Sequence, residues 1–216
     1  RTPFMCAIAA GNEEIARYFL NEASKFNESI SKKLLTGLDQ QLQSPLMIAA
    51  GVPKSCFLNK SREVTLESQS ESHSVNDINN SKKHDAFTMC DFILTAVTKA
   101  LDATAGDADF EIDDQDWEGR TALHHACMSG HLEVLKLLVA SKSDPSNCMD
   151  WGMNPLMLAS DSGHVGCVKY LLRECKADLT LRRSDGATAI SVIGKTNQIK
   201  SADRFLEVLE CMLERF

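Results

Sequence analysis

Gly119 to Val139 reads GRTALHHACMSGHLEVLKLLV, and Gly152, 33 residues on, opens GMNPLMLASDSGHVGCVKYLL. At that offset Gly130 falls on Gly163, His131 on His164, Lys136 on Lys169 and Leu138 on Leu171, while Leu137 is replaced by Tyr170. Self-similarity at a fixed period of this size marks a stack of supersecondary units. Working outward, a third copy begins at Gly186 as GATAISVIGKTNQ and an earlier one at Thr2 as TPFMCAIAAGNEEIARYFL. A partial one, SPLMIAA, runs from Ser44 to Ala50.

Each copy is spelled like two short helices joined by a tight turn. Thr2-Pro3, Ser44-Pro45 and Asn154-Pro155 pair a capping side chain with a proline at the first helical position, and Thr121-Ala122 and Thr188-Ala189 keep the cap. Small residues at Ala7, Ala49, Ala126 and Ala159 allow close helix packing. Gly11, Gly130 and Gly163 stand where the first helix must end with a positive φ. Apolar positions such as Val134, Leu135, Leu137 and Leu138 then mark a second helix.

The pattern T-A-L-H-x-A, then G-H-x-x-V, then L-L resembles the ankyrin repeat, at the ankyrin period. The resemblance spans most of the chain and is closest in the copies from Gly119 and Gly152. It implies an all-α solenoid of stacked helix-turn-helix units with β-turn fingers, about five in number. The units are expected at residues 1–39, with an extended second helix; 40–116, with an insertion near 51–86 and an acidic finger; 117–149; 150–183; and 184–216. The last is a cap in which Phe205, Leu206, Leu209 and Leu213 form the inward stripe.

The second unit departs from the pattern. After SPLMIAAG the second helix is delayed by a stretch from Val52 to Ala86 that holds seven Ser and four Asn, a loop composition. It then resumes as AFTMCDFILTAVTKALDA. Ser68 and Ser74 each have an acidic residue three positions on, which suits an acid-directed kinase. The connection from Thr2 to Ser44 is also long, and NEASKFNESISKKLLTGLDQ reads as an extension of the first unit's second helix.

Bulk composition narrows the function. The chain is 44% hydrophobic and 25% charged, as a folded domain is, and its net charge of -7 argues against a nucleic-acid binder. A protein partner with a basic surface is the better match. No apolar run is long enough for a membrane span, and the first residues lack the pattern of a signal peptide. Eight scattered cysteines form no disulfide framework, so a cytoplasmic or nuclear setting is expected. The chain opens inside a motif and is expected to be part of a longer protein.

In proteins it resembles, partners meet the fingers and the exposed side of the first helices. That implies partner-binding positions at Trp117, Glu118, Arg120, His125, Met128, Trp151, Met153, Leu158, Asp161, Arg182 and Arg183. Both tryptophans fall in fingers, where aromatic residues serve as anchors. From Asp102 to Glu118 lie eight acidic residues and no Lys or Arg, a charge run that is either solvated surface or a steering patch.

No catalytic residue, cofactor or metal is expected. His124, Cys127 and His131 share a helical spacing, but Gly130 ends the helix first, and the resemblance gives both histidines local hydrogen-bonding roles. Gly194-Lys195-Thr196 fails as a phosphate loop because Ala189 stands where its first Gly belongs. The expected function is a non-catalytic protein–protein interaction module of a larger protein, the alternative being a regulatory domain that docks on another domain of the same chain.

Overall fold

The computed structural model describes residues 1–53, 86–102, 111–193 and 202–213, and these contain helices and no strand. The helices are α1 (Pro3–Ala9), α2 (Glu13–Phe26), α3 (Glu28–Thr36), α4 (Pro45–Gly51), α5 (Ala86–Asp102), α6 (Ala122–Ser129), α7 (Leu132–Ala140), α8 (Pro155–Asp161), α9 (Val165–Arg173), α10 (Ala189–Val192) and α11 (Ala202–Leu213). The Ser/Asn-rich insertion with Ser68 and Ser74 lies outside the described residues, apart from Val52, Pro53 and Ala86. So do Gly194-Lys195-Thr196 and part of the acidic run.

The caps are those the sequence spells. Thr2 Oγ1 accepts the Met5 N–H at 3.2 Å, Ser44 Oγ that of Met47 at 3.3 Å and Asn154 Oδ1 that of Met157 at 2.8 Å. Pro3, Pro45 and Pro155 follow at the first helical position. Gly11, Gly130 and Gly163 take φ values of 67°, 69° and 69°, ending the first helices of their units as expected.

The helices stand in two rows. First helices pack in the order α1, α4, α6, α8, α10, and a second row runs α3, α5, α7, α9, α11, with α1 and α2, α4 and α5, α6 and α7, and α8 and α9 paired within units. The core between the rows is continuous, from Phe4 and Ile8 through Leu46, Ile93, Leu123, Leu135 and Leu156 to Leu171 and Val208. Each such side chain contributes about 1.5–3 kcal/mol by leaving water. Helix α5 shows why the delayed segment is helical, because Ala86, Met89, Cys90, Ile93, Leu94 and Val97 are buried and share one face at the α-helical spacing.

Two expectations need correction. The first unit's second helix is longer than those of the third and fourth units, 14 residues against nine, but it does not run on through the whole stretch to Gln40, because it breaks at Asn27. That residue is extended at φ -167° and ψ 133°, and its side chain caps the next helix by accepting the Ser29 N–H at 2.9 Å. The separate helix α3 buries Ser31 and Leu35 and makes the first unit's main contact with α5. In α11 the inward face is Val208 and Met212, with Leu209 and Cys211 partly buried, while Leu206 and Leu213 are exposed. Phe205 is not among the side chains described. Among the described residues no helix is long and apolar enough to cross a membrane.

Candidate functional site

Among the described residues four fingers project between units, and they share one backbone plan. In residues 39–43, 116–120, 149–153 and 183–187 the first N–H donates to the fifth carbonyl, at 3.1, 2.9, 3.0 and 2.8 Å, and the fourth N–H donates back to the first carbonyl. The fourth residue has positive φ in every case: Gly119, Gly152 and Gly186 in three, and Leu42 at 57° in the other. Neighbouring fingers are bonded as well. The Trp117 N–H donates to the Gln41 carbonyl at 3.1 Å, and the Trp151 carbonyl accepts both the N–H and the hydroxyl of Ser184, at 3.1 and 3.0 Å.

A carboxylate organises the second finger, residues 116–120. Buried Asp116 accepts the N–H groups of Glu118 and Arg120 on Oδ1 at 3.0 and 2.9 Å, and His125 Nε2 lies 3.0 Å from its Oδ2. Burial pushes its pKa up, but these hydrogen bonds, the one from His125 foremost, outweigh burial and leave it below the ordinary carboxylate range. Asp39 does the same in the first finger, accepting the Gln41 and Gln43 N–H groups, with the Arg1 guanidinium 3.1 Å from its Oδ2.

The structure divides the expected site residues. Trp117 and Trp151 are 58% and 67% exposed. They do not occupy equivalent places, since Trp117 is the second residue of its finger and Trp151 the third of the next. Trp151, Met153, Arg183, Ser184 and Asp185 line an open cleft of about 540 Å³. Within it Arg183 Nη1 lies 3.9 Å from Met153 Sδ, and the same guanidinium pairs with Asp185. Arg182 donates to the Gly186 carbonyl at 3.2 Å. Glu118 and Arg120 pair with each other, Met128 is exposed at the end of α6, and Asp161 is half-buried at the end of α8.

His125 and Leu158 are corrections. Both are buried, at 8% and 6% exposed, and His125 packs between Gly51 of the preceding unit and the Asp116 carboxylate. A Cβ on Gly51 of α4 would come within 3.3 Å of the His125 ring.

The described part of the acidic run is largely committed to structure. Asp113 accepts from the Ser143 hydroxyl and the Asp144 N–H, Asp114 from the Glu111 N–H, Asp116 organises its finger, and Glu118 pairs with Arg120. The histidines are also structural, although not all locally. Thr121 N–H donates to His124 Nδ1 at 3.1 Å, within one helix turn. His131 Nε2 reaches the Val52 carbonyl at 2.6 Å and His164 Nε2 the Met128 carbonyl at 2.9 Å, each in the preceding unit. Sequence reasoning missed Asp116 and Asp39 as finger organisers, although an Asp three residues before the turn's positive-φ position was a readable signal.

Residues 86–183 match the model of a family described as ankyrin repeats, in three copies. Over 192 residues the chain is 24% identical to Ankyrin repeat domain-containing protein 63 of Mus musculus, which covers 88% of this chain and 37% of that protein. Over 57 residues it is 44% identical to Protein fem-1 homolog A of Homo sapiens, covering 26% of this chain and 8% of that one. It is 37% identical over 83 residues to the poly(ADP-ribose) polymerase tankyrase of Caenorhabditis elegans, a stretch that is 35% of this chain and 4% of that enzyme. The chain spans little more than a third of the length of the first of these relatives.

Proposed function

This chain belongs to the ankyrin-repeat family, and from that premise we propose that it is a non-catalytic protein–protein interaction module of a larger protein, gripping its partner on the finger face. The observation that carries this reading is the pair of exposed indoles, Trp117 and Trp151, on fingers that backbone hydrogen bonds hold in place. An aromatic anchor on a rigid turn loses little freedom on binding, which is what concentrates affinity in a few residues. Met153 and the Arg183–Asp185 pair flank Trp151 and supply an apolar floor with polar edges.

The proposed partner is a protein with a basic surface, complementing the chain's net charge of -7 and the exposed Asp150 beside Trp151. The cytoplasm is the proposed compartment, supported by Cys90, Cys127 and Cys167, which sit in the core as small hydrophobes.

The test is affinity capture from a cytosolic extract with the wild-type chain, with the Trp117→Ala, Trp151→Ala double variant, and with a form lacking residues 55–85. A partner held by the wild type and weakened about 30-fold or more by the double variant supports the finger face. Equal binding by the double variant would remove it. If nothing is captured, the alternative of a domain that docks on its own chain takes over.

A further inference from the structure

The first unit carries a face that the inner units cover. Aligned on Gly11, Gly130 and Gly163, Ile15 occupies the position of Val134 and Cys167. Those two are each 1% exposed, whereas Ile15 is 45% exposed. One turn along, Tyr18 matches Leu137 and Tyr170, which are partly buried, yet Tyr18 is 62% exposed. On the first helix Cys6 matches Ile48, His125 and Leu158, all three buried, and Cys6 is exposed.

In the inner units this face is turned to the unit before. Gly51 of α4 lies against His125, and the Cβ position of Gly166 in α9 lies 3.5 Å from Leu132 of α7. His131 and His164 bond back to the Val52 and Met128 carbonyls across the same junctions. A terminal unit that closes a stack has a polar outer side. Cys6, Ile15 and Tyr18 make this one thiol, aliphatic and aromatic instead.

We propose that this face is a stacking surface for one further helix-turn-helix repeat, joined in the same polypeptide on the α1 side. The argument is continuity with an interface already present, since neighbouring units in the structure stack in chain order, first helix on first helix and second on second. The occupant is therefore a repeat whose trailing face resembles those that α4 and α5 offer to the third unit. Its first helix lies over Cys6 and its second over Ile15 and Tyr18.

The experiment places a copy of residues 120–152 directly before Arg1, so that the copied Gly152 precedes Arg1 as it precedes Met153. Its copied cysteines are replaced by alanine. Thiol labelling read by mass spectrometry compares Cys6 with Cys148, which is also exposed. Stacking slows Cys6 labelling by about tenfold or more relative to Cys148 and leaves a single unfolding transition at higher urea. The same fusion carrying Ile15→Glu then loses that protection. Unchanged Cys6 labelling, with the added unit melting separately, would overturn the proposal. So would a dimer of the unextended chain that protects Cys6 and is dissociated by Ile15→Glu, since that result assigns the face to a second copy.

Discussion

The imidazole of His164 occupies the space that a side chain on Gly130 would need: a Cβ there would lie 2.4 Å from His164 Nδ1. The ring cannot swing away freely, because its Nε2 is bonded to the Met128 carbonyl at 2.9 Å. One residue thus ends α6, turns the chain with φ 69° and seats the next unit's histidine. The contrast is Gly186, whose φ of 81° is similar but whose Cβ position meets nothing within 4 Å.

Gly186→Ala is accordingly expected to cost only the left-handed strain, about 1–2 kcal/mol. Gly130→Ala adds the displaced ring and a lost hydrogen bond, for a total of about 3 kcal/mol or more. Urea unfolding of both variants measures this, and equal losses would show that the His164 contact carries no cost.

Leu42 has φ 57° at the finger position that the other three fingers give to glycine, and its side chain is about half exposed. Leu42→Gly relieves the strain and loses little burial, while the looser unfolded chain takes back part of the gain. A net stabilisation of about 0.5–1 kcal/mol is expected, read as a higher urea midpoint. A lower midpoint would mean that the Leu42 side chain packs to greater effect than its exposure indicates.

Burial holds the pKa of His124 down to about 4, with the neighbouring His125 adding to the effect. A base with a folded pKa below its unfolded value of about 6.5 contributes stability that is present above pH 6.5 and lost as pH falls towards 4. The loss is on the order of 3 kcal/mol across that window. His124→Gln keeps an acceptor for the Thr121 N–H and cannot charge, so its urea midpoint should vary less between pH 7 and pH 4.5 than the wild type's. Identical pH profiles would exclude His124 as the titrating group.

Asp116→Ala removes at once three hydrogen bonds that hold the second finger. Half-buried N–H groups left without an acceptor fall at the low end of about 1–3 kcal/mol each, so the variant should lose about 2 kcal/mol in all. Because the finger also carries Trp117, the variant should weaken partner binding as well. Hydrogen exchange of the Glu118 and Arg120 amides checks the mechanism: both should speed up, and unchanged protection would show that the turn stands without the carboxylate.

The repeat, its caps and its turn glycines were legible because they are local. A Thr-Pro or Asn-Pro start and a glycine nine residues after the cap state a helix and its end in terms of backbone sterics, and the 33-residue offset between Gly119 and Gly152 states the stacking. Placement of the tryptophans on fingers was legible for the same reason. Two site assignments failed, His125 and Leu158, because one-dimensional spacing puts them on the first helix without saying which unit covers them. The break at Asn27 escaped because NEASKFNESISKK is a good helix former on both sides of it.

By itself, then, the sequence determined an all-helical stack of ankyrin units, since that follows from periodicity and capping within each copy. Only the tertiary structure decided which side chains remain outside it. The indoles of Trp117 and Trp151 stay exposed while His125 and Leu158 do not, Asp116 is turned inward to hold its finger, and Ile15 is left open where Val134 and Cys167 are shut. The physical reason is that burial in a stacked solenoid is set by the neighbouring unit, and a residue's own segment carries no record of what lies against it.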